Sequence, residues 1–149
     1  MIRTEAEYQE SVVLLREQQE RLQKKEAKLL TTHTAEEVAR GMAAEKTFML
    51  GLAEEIESYE KLLRGDLGEL QNLHGMGRML IGLRIARGIS QRQLAEKMGV
   101  HESQVSRDER NEYHGITLER AQRLLDVMGV TLSTRVQAPL LPPHSALQE

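Results

Sequence analysis

Residues 90–110, SQRQLAEKMGVHESQVSRDER, constrain this chain more than any other stretch. They read as two short amphipathic helices joined at a single glycine. Ser90 can cap the first helix through its side-chain oxygen. Leu94, Ala95 and Met98 then share one face at i, i+1 and i+4. Gly99 follows where a helix end calls for a left-handed residue, a conformation that glycine adopts without steric cost. A second helix is predicted over 102–110, with Val105 inward and Glu102, Ser103, Gln104, Ser106 and Arg107 outward.

From 77 to 130 the chain resembles the Cro/C1-type (Xre family) helix-turn-helix of phage repressors and bacterial regulators. Arg84, Gly88, Ile89, Ser90, Gln91, Leu94, Ala95, Gly99, Val100, Val105, Ser106, Arg107 and Glu109 carry the likeness, which closes on Met128, Gly129 and Val130. The resemblance implies a lambda-repressor-like domain that binds double-stranded DNA, regulates transcription as a repressor, and reads a palindromic operator as a homodimer. It further implies that Gln91 meets a phosphate at the head of the first helix, where the helix dipole favours an anion. Glu102, Ser103 and Ser106 fall on base-reading positions. Arg107, one turn on, is the best candidate for discrimination, because a guanidinium can grip guanine O6 and N7.

Other residues near that surface have two readings each. Arg92 and Lys97 add backbone charge or are merely solvated. Gln104 suits adenine or a phosphate. His101 stands at the second helix's N-cap, where histidine is a poor choice, and could instead meet a phosphate. Glu102 faces repulsion from phosphates unless it accepts from cytosine N4 or is held by Gln91. Asn111 and Tyr113 are placed for backbone contacts, although Tyr113 could equally plug its loop onto the core. Arg84 and Glu109 resemble the family's buried, structural salt bridge. Two departures stand out: Asp108 where an aliphatic residue is usual, and a loop at 111–115 about one residue longer than expected.

Charge supports this division of labour. The 149-residue chain has a formal net charge of −3. Residues 1–75 carry 10 Lys/Arg against 15 Asp/Glu, a net −5, and residues 76–149 carry 10 against 8, a net +2. The positive half is the one expected to meet phosphates. There are no cysteines, hence no disulfide and no thiolate chemistry. Walker, His-Glu-x-x-His and dinucleotide signatures are missing, and His33, His74, His101, His114 and His144 lack ligand spacing. An enzyme is not expected, nor a metal or cofactor. No apolar run nears the roughly 20 residues that span a bilayer, and the polar opening MIRTEAEYQE lacks a signal peptide's apolar core. A cytoplasmic protein of bacterial or phage origin, associated with the nucleoid and not with a membrane, is the expectation.

The fold class expected is all-α, in four parts: a helical hairpin at 1–67, a linker at 68–75, the DNA-binding domain at 76–136, and a flexible tail at 137–149. Residues 4–30 are rich in helix formers, with a seam at Tyr8, Val12, Leu15, Leu22 and Leu29. Thr34 and Glu37 form a capping-box signature. The helix they open is predicted to run unbroken to about 64, through Val38, Met42, Met49, Leu52, Ile56, Tyr59 and Leu63, antiparallel to the first. Leu67, Leu70 and Leu73 suggest a helical turn within the glycine-punctuated linker. Helices are predicted over 76–87, 91–98, 102–110 and 117–128. Their core is drawn from Leu80, Leu83, Leu94, Ala95, Met98, Val105, Leu118, Leu124, Leu125 and Met128. Residues 130–136 alternate as a short strand or extended arm.

The hairpin needs a second surface to cover its seams: its own domain, a second copy, or another protein. The segments IRTEAEYQESVVLL and LAEEIESYEKL are similar to the N-terminal part of antitoxins in host-inhibition-of-growth toxin–antitoxin pairs. That likeness implies, as an alternative, a toxin partner and autorepression of the shared operon. A third reading is a protein-binding adaptor on the same fold.

Overall fold

The structure, a computed structural model, is described here for residues 1–136. The expected tail at 137–149 lies outside the described residues. Among the described residues seven helices follow in order: α1 (Glu5–Leu29), α2 (Ala35–Gly41), α3 (Ala43–Leu63), α4 (Met76–Ala86), α5 (Gln91–Met98), α6 (Glu102–Arg110) and α7 (Leu118–Met128). The all-α class is as the sequence implied.

Thr4 caps α1, its hydroxyl accepting from the Glu7 amide at 3.2 Å. After the turn at 30–34, Thr34 and Glu37 form the expected reciprocal capping box. The helix they open is not continuous. It breaks at Met42 (φ −104°, ψ 0°), and α3 restarts immediately. Gly41 is the weakest helix former in the segment, and the break seats Met42 fully buried beside Leu22 and Val38. This small cluster stabilises the far end of the hairpin, flanked by the ion pairs Lys25–Glu45 at 2.6 Å and Lys46–Glu26 at 2.9 Å.

Toward the other end, α1 and α3 meet through Tyr8 and Tyr59, stacked with ring centroids 5.1 Å apart. The expected seam holds except at two positions. Val12 and Leu63 are exposed, and Leu62 packs inward in place of Leu63. Leu62 and Leu67 press on α4 at Gly82, where a Cβ would stand 2.9 Å and 2.8 Å from their Cδ2 atoms. Ile2, Ile56 and Tyr59 belong to the same buried cluster as Leu80, Ile81, Leu94, Val105, Leu124 and Met128. The hairpin therefore shares its core with α4–α7.

Three sequence expectations are corrected. Residues 66–75 contain no helical turn; a tight turn closes Gln71 on His74 as an isolated bridge, with Asn72 at φ 50°. Gly65, Gly68 and Gly75 all take positive φ, which interrupts any helix there. Leu118 is 70 % exposed and not in the core; Ala121, nearly one turn on, takes the inward place with Leu124, Leu125 and Met128. No strand forms over 130–136, for no neighbouring edge exists among the described residues to pair with it. Val130 and Leu132 pack on the core instead.

Candidate nucleic-acid interface

The pair α5–α6 is built as its sequence dictates. Ser90 Oγ accepts from the Gln93 amide at 3.1 Å, and Gln93 Oε1 accepts from the Ser90 amide at 2.8 Å. Gly99, at φ 68°, ends α5, and the Val100 amide returns to the Ala95 carbonyl at 3.0 Å. His101 does cap α6, its Nδ1 accepting from the Ser103 amide at 3.2 Å. That contact places the imidazole proton on Nε2 of the neutral ring. The Gln91 and Arg92 amides, in the first turn of α5, find no protein acceptor among the described residues. Two donors thus point from a helix N-terminus, the arrangement that receives an anion.

α6 turns two opposite faces. Val105 and Glu109 are buried, whereas Ser103, Arg107 and Arg110 follow at i, i+4 and i+7 on the solvent side, with Gln104 exposed beside them and Ser106 half-buried. Neither Arg107 nor Arg110 enters an ion pair with any described residue. Glu102 is also exposed, and Gln91 does not hold it. The Gln91 side chain instead donates from Nε2 to Glu109 Oε2 at 2.8 Å. One amide hydrogen remains for an outside acceptor.

Glu109 is 1 % exposed and Arg84 4 %. Arg84 Nε reaches Glu109 Oε1 at 2.5 Å and Nη2 reaches Oε2 at 2.7 Å, a bidentate ion pair that ties α6 to α4. Nη1 also donates to the Ile89 carbonyl at 2.8 Å, locking the turn before α5. Asp108 is accounted for as well. Its carboxylate accepts from Arg120 on α7, so the unusual acid at this place is paired and fastens α6 to its neighbour.

The loop after α6 carries Glu112 and Tyr113 at φ 49° and 51°, two left-handed non-glycine residues in succession. Such backbone costs about 1–3 kcal/mol per residue and persists only when its surroundings over-determine it. Three contacts do so here. Arg78 Nε donates to both Glu112 oxygens at 3.0 Å. The Tyr113 amide donates to the Asp108 carbonyl at 2.8 Å. The Tyr113 ring is buried at 6 % exposure. Of the two readings of Tyr113, the ring therefore plugs the core. Its hydroxyl has no hydrogen-bond partner, yet no buried polar side-chain atom is left unpartnered among the described residues, so that oxygen opens to solvent. Burial and the Glu109 carboxylate raise its pKa above the usual phenol range. Asn111 and His114 are exposed on the same loop.

The structure thus gathers Gln91, Arg92, His101, Glu102, Ser103, Gln104, Ser106, Arg107 and Asn111 along the outer edge of α5–turn–α6–loop. Arg92 is partly engaged with Glu96 at 3.3 Å, an exposed pair of small worth. Sequence reasoning overlooked Arg110. Its spacing from Ser103 and Arg107 was the signal that could have found it. No group of three or more His, Cys, Asp or Glu among the described residues could hold a metal ion, and no described helix is long and apolar enough to cross a membrane. The arrangement offers a polar, cation-bearing ridge flanked by free helix amides, suited to a phosphate-lined groove.

Compared with known protein families, residues 81–134 match the helix-turn-helix family. The matched span runs from the second turn of α4 into the extension after α7, and so covers every element of this ridge. Comparison with curated proteins and with solved structures gave no match.

Proposed function

We propose that this protein, whose residues 81–134 match the helix-turn-helix family and resemble its Cro/C1 (Xre) type, is a transcription regulator that reads a specific duplex sequence by laying α6 in the major groove. The observation that carries this is the division of α6 into a face locked by Glu109 and a solvent face on which Arg107 and Arg110 have no ion-pair partner among the described residues, with Ser103 exposed and bonded only to His101. In this reading Arg107 and Ser103 address base edges. Gln104 and Ser106 flank them, Glu102 accepts from a cytosine amino group, and His101 Nε2–H is a phosphate donor. Gln91, Arg92 and Asn111 hold the backbone. Arg110 adds a further phosphate contact.

A single module reads too few base pairs for a unique site. The working unit proposed is therefore a homodimer on a palindromic operator, its half-sites about 34–36 Å apart. Repression is the proposed outcome, since occupancy of an operator needs no surface beyond the DNA interface. The protein would then act at the nucleoid of a bacterial or phage-infected cell. Selection from a random duplex pool tests the reading. The expected result is enrichment of one inverted repeat, bound with a steep salt dependence that weakens when Arg107 is replaced by alanine. Recovery of unrelated duplexes bound equally well would sink it.

The hairpin favours a second role. Phe48, Leu50 and Val13 are 55 %, 64 % and 43 % exposed on helices that also carry most of the negative charge. We infer that residues 1–67 engage a protein, either a second copy or a toxin in an antitoxin pair. Light scattering on the pure chain separates the first from the second. The adaptor alternative, which rests on the two acids Asp108 and Glu102, keeps only the second, because Asp108 pairs with Arg120 while Glu102 stays exposed.

A further inference from the structure

The Arg84 guanidinium has a fourth hydrogen bond, from Nη2 to the Arg3 carbonyl at 2.8 Å, spanning 81 residues. Arg3 does not arrive there by accident of a loose end. Ile2, one residue before, is 4 % exposed within the shared core. The Arg3 amide donates to Glu7 Oε2 at 2.8 Å, which fixes the segment on the first turn of α1. α1 is in turn held to α3 by the Tyr8–Tyr59 stack and by Tyr8 Oη donating to Glu60 at 2.9 Å. A continuous series of contacts therefore runs from hairpin to Ile2–Arg3, to Arg84, to Glu109, and so to α6 and Gln91.

We propose that Ile2 and Arg3 are positioning residues for the recognition helix: their seating sets the Arg84 guanidinium, and through Glu109 the pose of α6 and of the Gln91 amide. The physical basis is that a buried donor does not tolerate loss of its acceptor. If the Arg3 carbonyl leaves, Nη2 must turn toward another acceptor or admit water. Because the guanidinium is one rigid plane, any such turn tilts Nε and Nη2 together and shifts both of the group's contacts on Glu109. DNA affinity becomes linked to the state of the hairpin's first turn, and whatever binds the hairpin and disturbs that turn weakens DNA binding reciprocally. The proposal rests on α6 being the DNA-reading helix.

The test uses the full chain and a duplex that the unaltered protein selects from a random pool. Ile2→Ala empties the seat. Glu7→Ala releases the Arg3 amide from a partly exposed position and spares the core, whereas Glu7→Gln keeps an acceptor and should rescue. Expected is a loss of affinity of about tenfold in both alanine variants, within the usual range of coupling between sites. The slope of log K on log salt should be unchanged, since no phosphate contact is removed. Amide hydrogen exchange under native conditions should quicken in α6 more than in α7. Affinity equal to the parent's in both alanine variants overturns the proposal. So does exchange that rises equally in α6 and α7, the mark of a merely structural contact. Should the parent select no duplex, the DNA reading fails by itself, and the α6-against-α7 exchange comparison still decides whether Ile2 and Arg3 govern this helix.

Discussion

Gln91 and Glu109 share a hydrogen bond of 2.8 Å that joins the first residue of α5 to the far end of α6. The proposed phosphate contact is thereby oriented by the buried carboxylate that anchors α6. Gln91→Ala should weaken binding to every duplex alike, because a phosphate contact carries no sequence information. Gln91→Glu should do more harm. It sets a second carboxylate against a buried one, with an expected stability loss of about 1–3 kcal/mol. Urea midpoints together with binding isotherms on matched and unmatched duplexes check both. Unchanged stability in Gln91→Glu would show that the bond to Glu109 does not form in solution.

Arg107 and Arg110 lie one turn apart on α6 and should behave differently. Arg107→Ala is expected to relax preference at one base pair of each half-site, a loss of about 1–3 kcal/mol of discrimination. Arg110→Ala is expected to weaken all sequences and reduce the salt slope by about 1. Titrations on the selected duplex and its single-base variants over a salt series separate the two. If both variants lower only the salt slope, base reading belongs elsewhere on α6.

The α5–turn–α6 unit was legible because local chemistry decides it. Ser90, Gly99 and the lone apolar Val105 each have one good conformational solution, and the structure adopts it. Glu109 against Arg84 was legible through family resemblance, since no local pattern reveals a partner 25 residues away. What stayed hidden depends on tertiary packing. The break at Met42 is set by a pocket that Leu22 and Val38 supply. Exposure of Leu118 depends on which face α7 turns to the core, the one bearing Ala121, Leu124, Leu125 and Met128. Seating of Ile2 in the DNA-binding core could not be read from a polar N-terminal segment whose periodicity speaks only of its own helix.

Glu109→Ala should strand the Arg84 guanidinium at 4 % exposure. Breaking a buried pair from one side costs about 3–5 kcal/mol. The double variant Arg84→Met with Glu109→Leu should recover much of that loss, because paired removal leaves no buried charge. Thermal and urea unfolding of both proteins check this. A double variant no more stable than the single one would mean that the Ile89 and Arg3 carbonyls, not the charge, are the main dependents of Arg84.

Gly77 stands where α4 meets the loop. A Cβ built there would lie 1.8 Å from the Glu112 carbonyl oxygen, which is backbone and cannot swing aside. An alanine in a helix normally gains up to about 1 kcal/mol over glycine. Here the sign should reverse, with Gly77→Ala destabilising by about 1–3 kcal/mol or more through overpacking. The loop at 111–115 must move, and Asn111 with it. Reduced affinity for all duplexes should accompany the lower melting temperature. A stabilised Gly77→Ala would place the loop farther from α4 than the structure does.

Tyr113 gives the fold an alkaline limit. Burial first, and the Glu109 charge second, push its pKa up from the ordinary value of 10.0. A phenol with a raised folded-state pKa contributes stability that is complete below the unfolded-state value. That stability declines as pH rises beyond it, because the unfolded chain releases a proton that the folded chain retains. One pH unit above the unfolded value the loss is about 1.4 kcal/mol. Tyr8 and Tyr59 are also raised and add to the same decline. Tyr113→Phe removes a hydroxyl that has no partner among the described residues, so its cost near neutrality should stay below about 1 kcal/mol. The variant should nevertheless lose less stability than the parent between about pH 9 and about pH 11. Urea midpoints measured across that interval decide the matter, and parallel curves for the two proteins would show that the Tyr113 hydroxyl titrates as freely folded as unfolded.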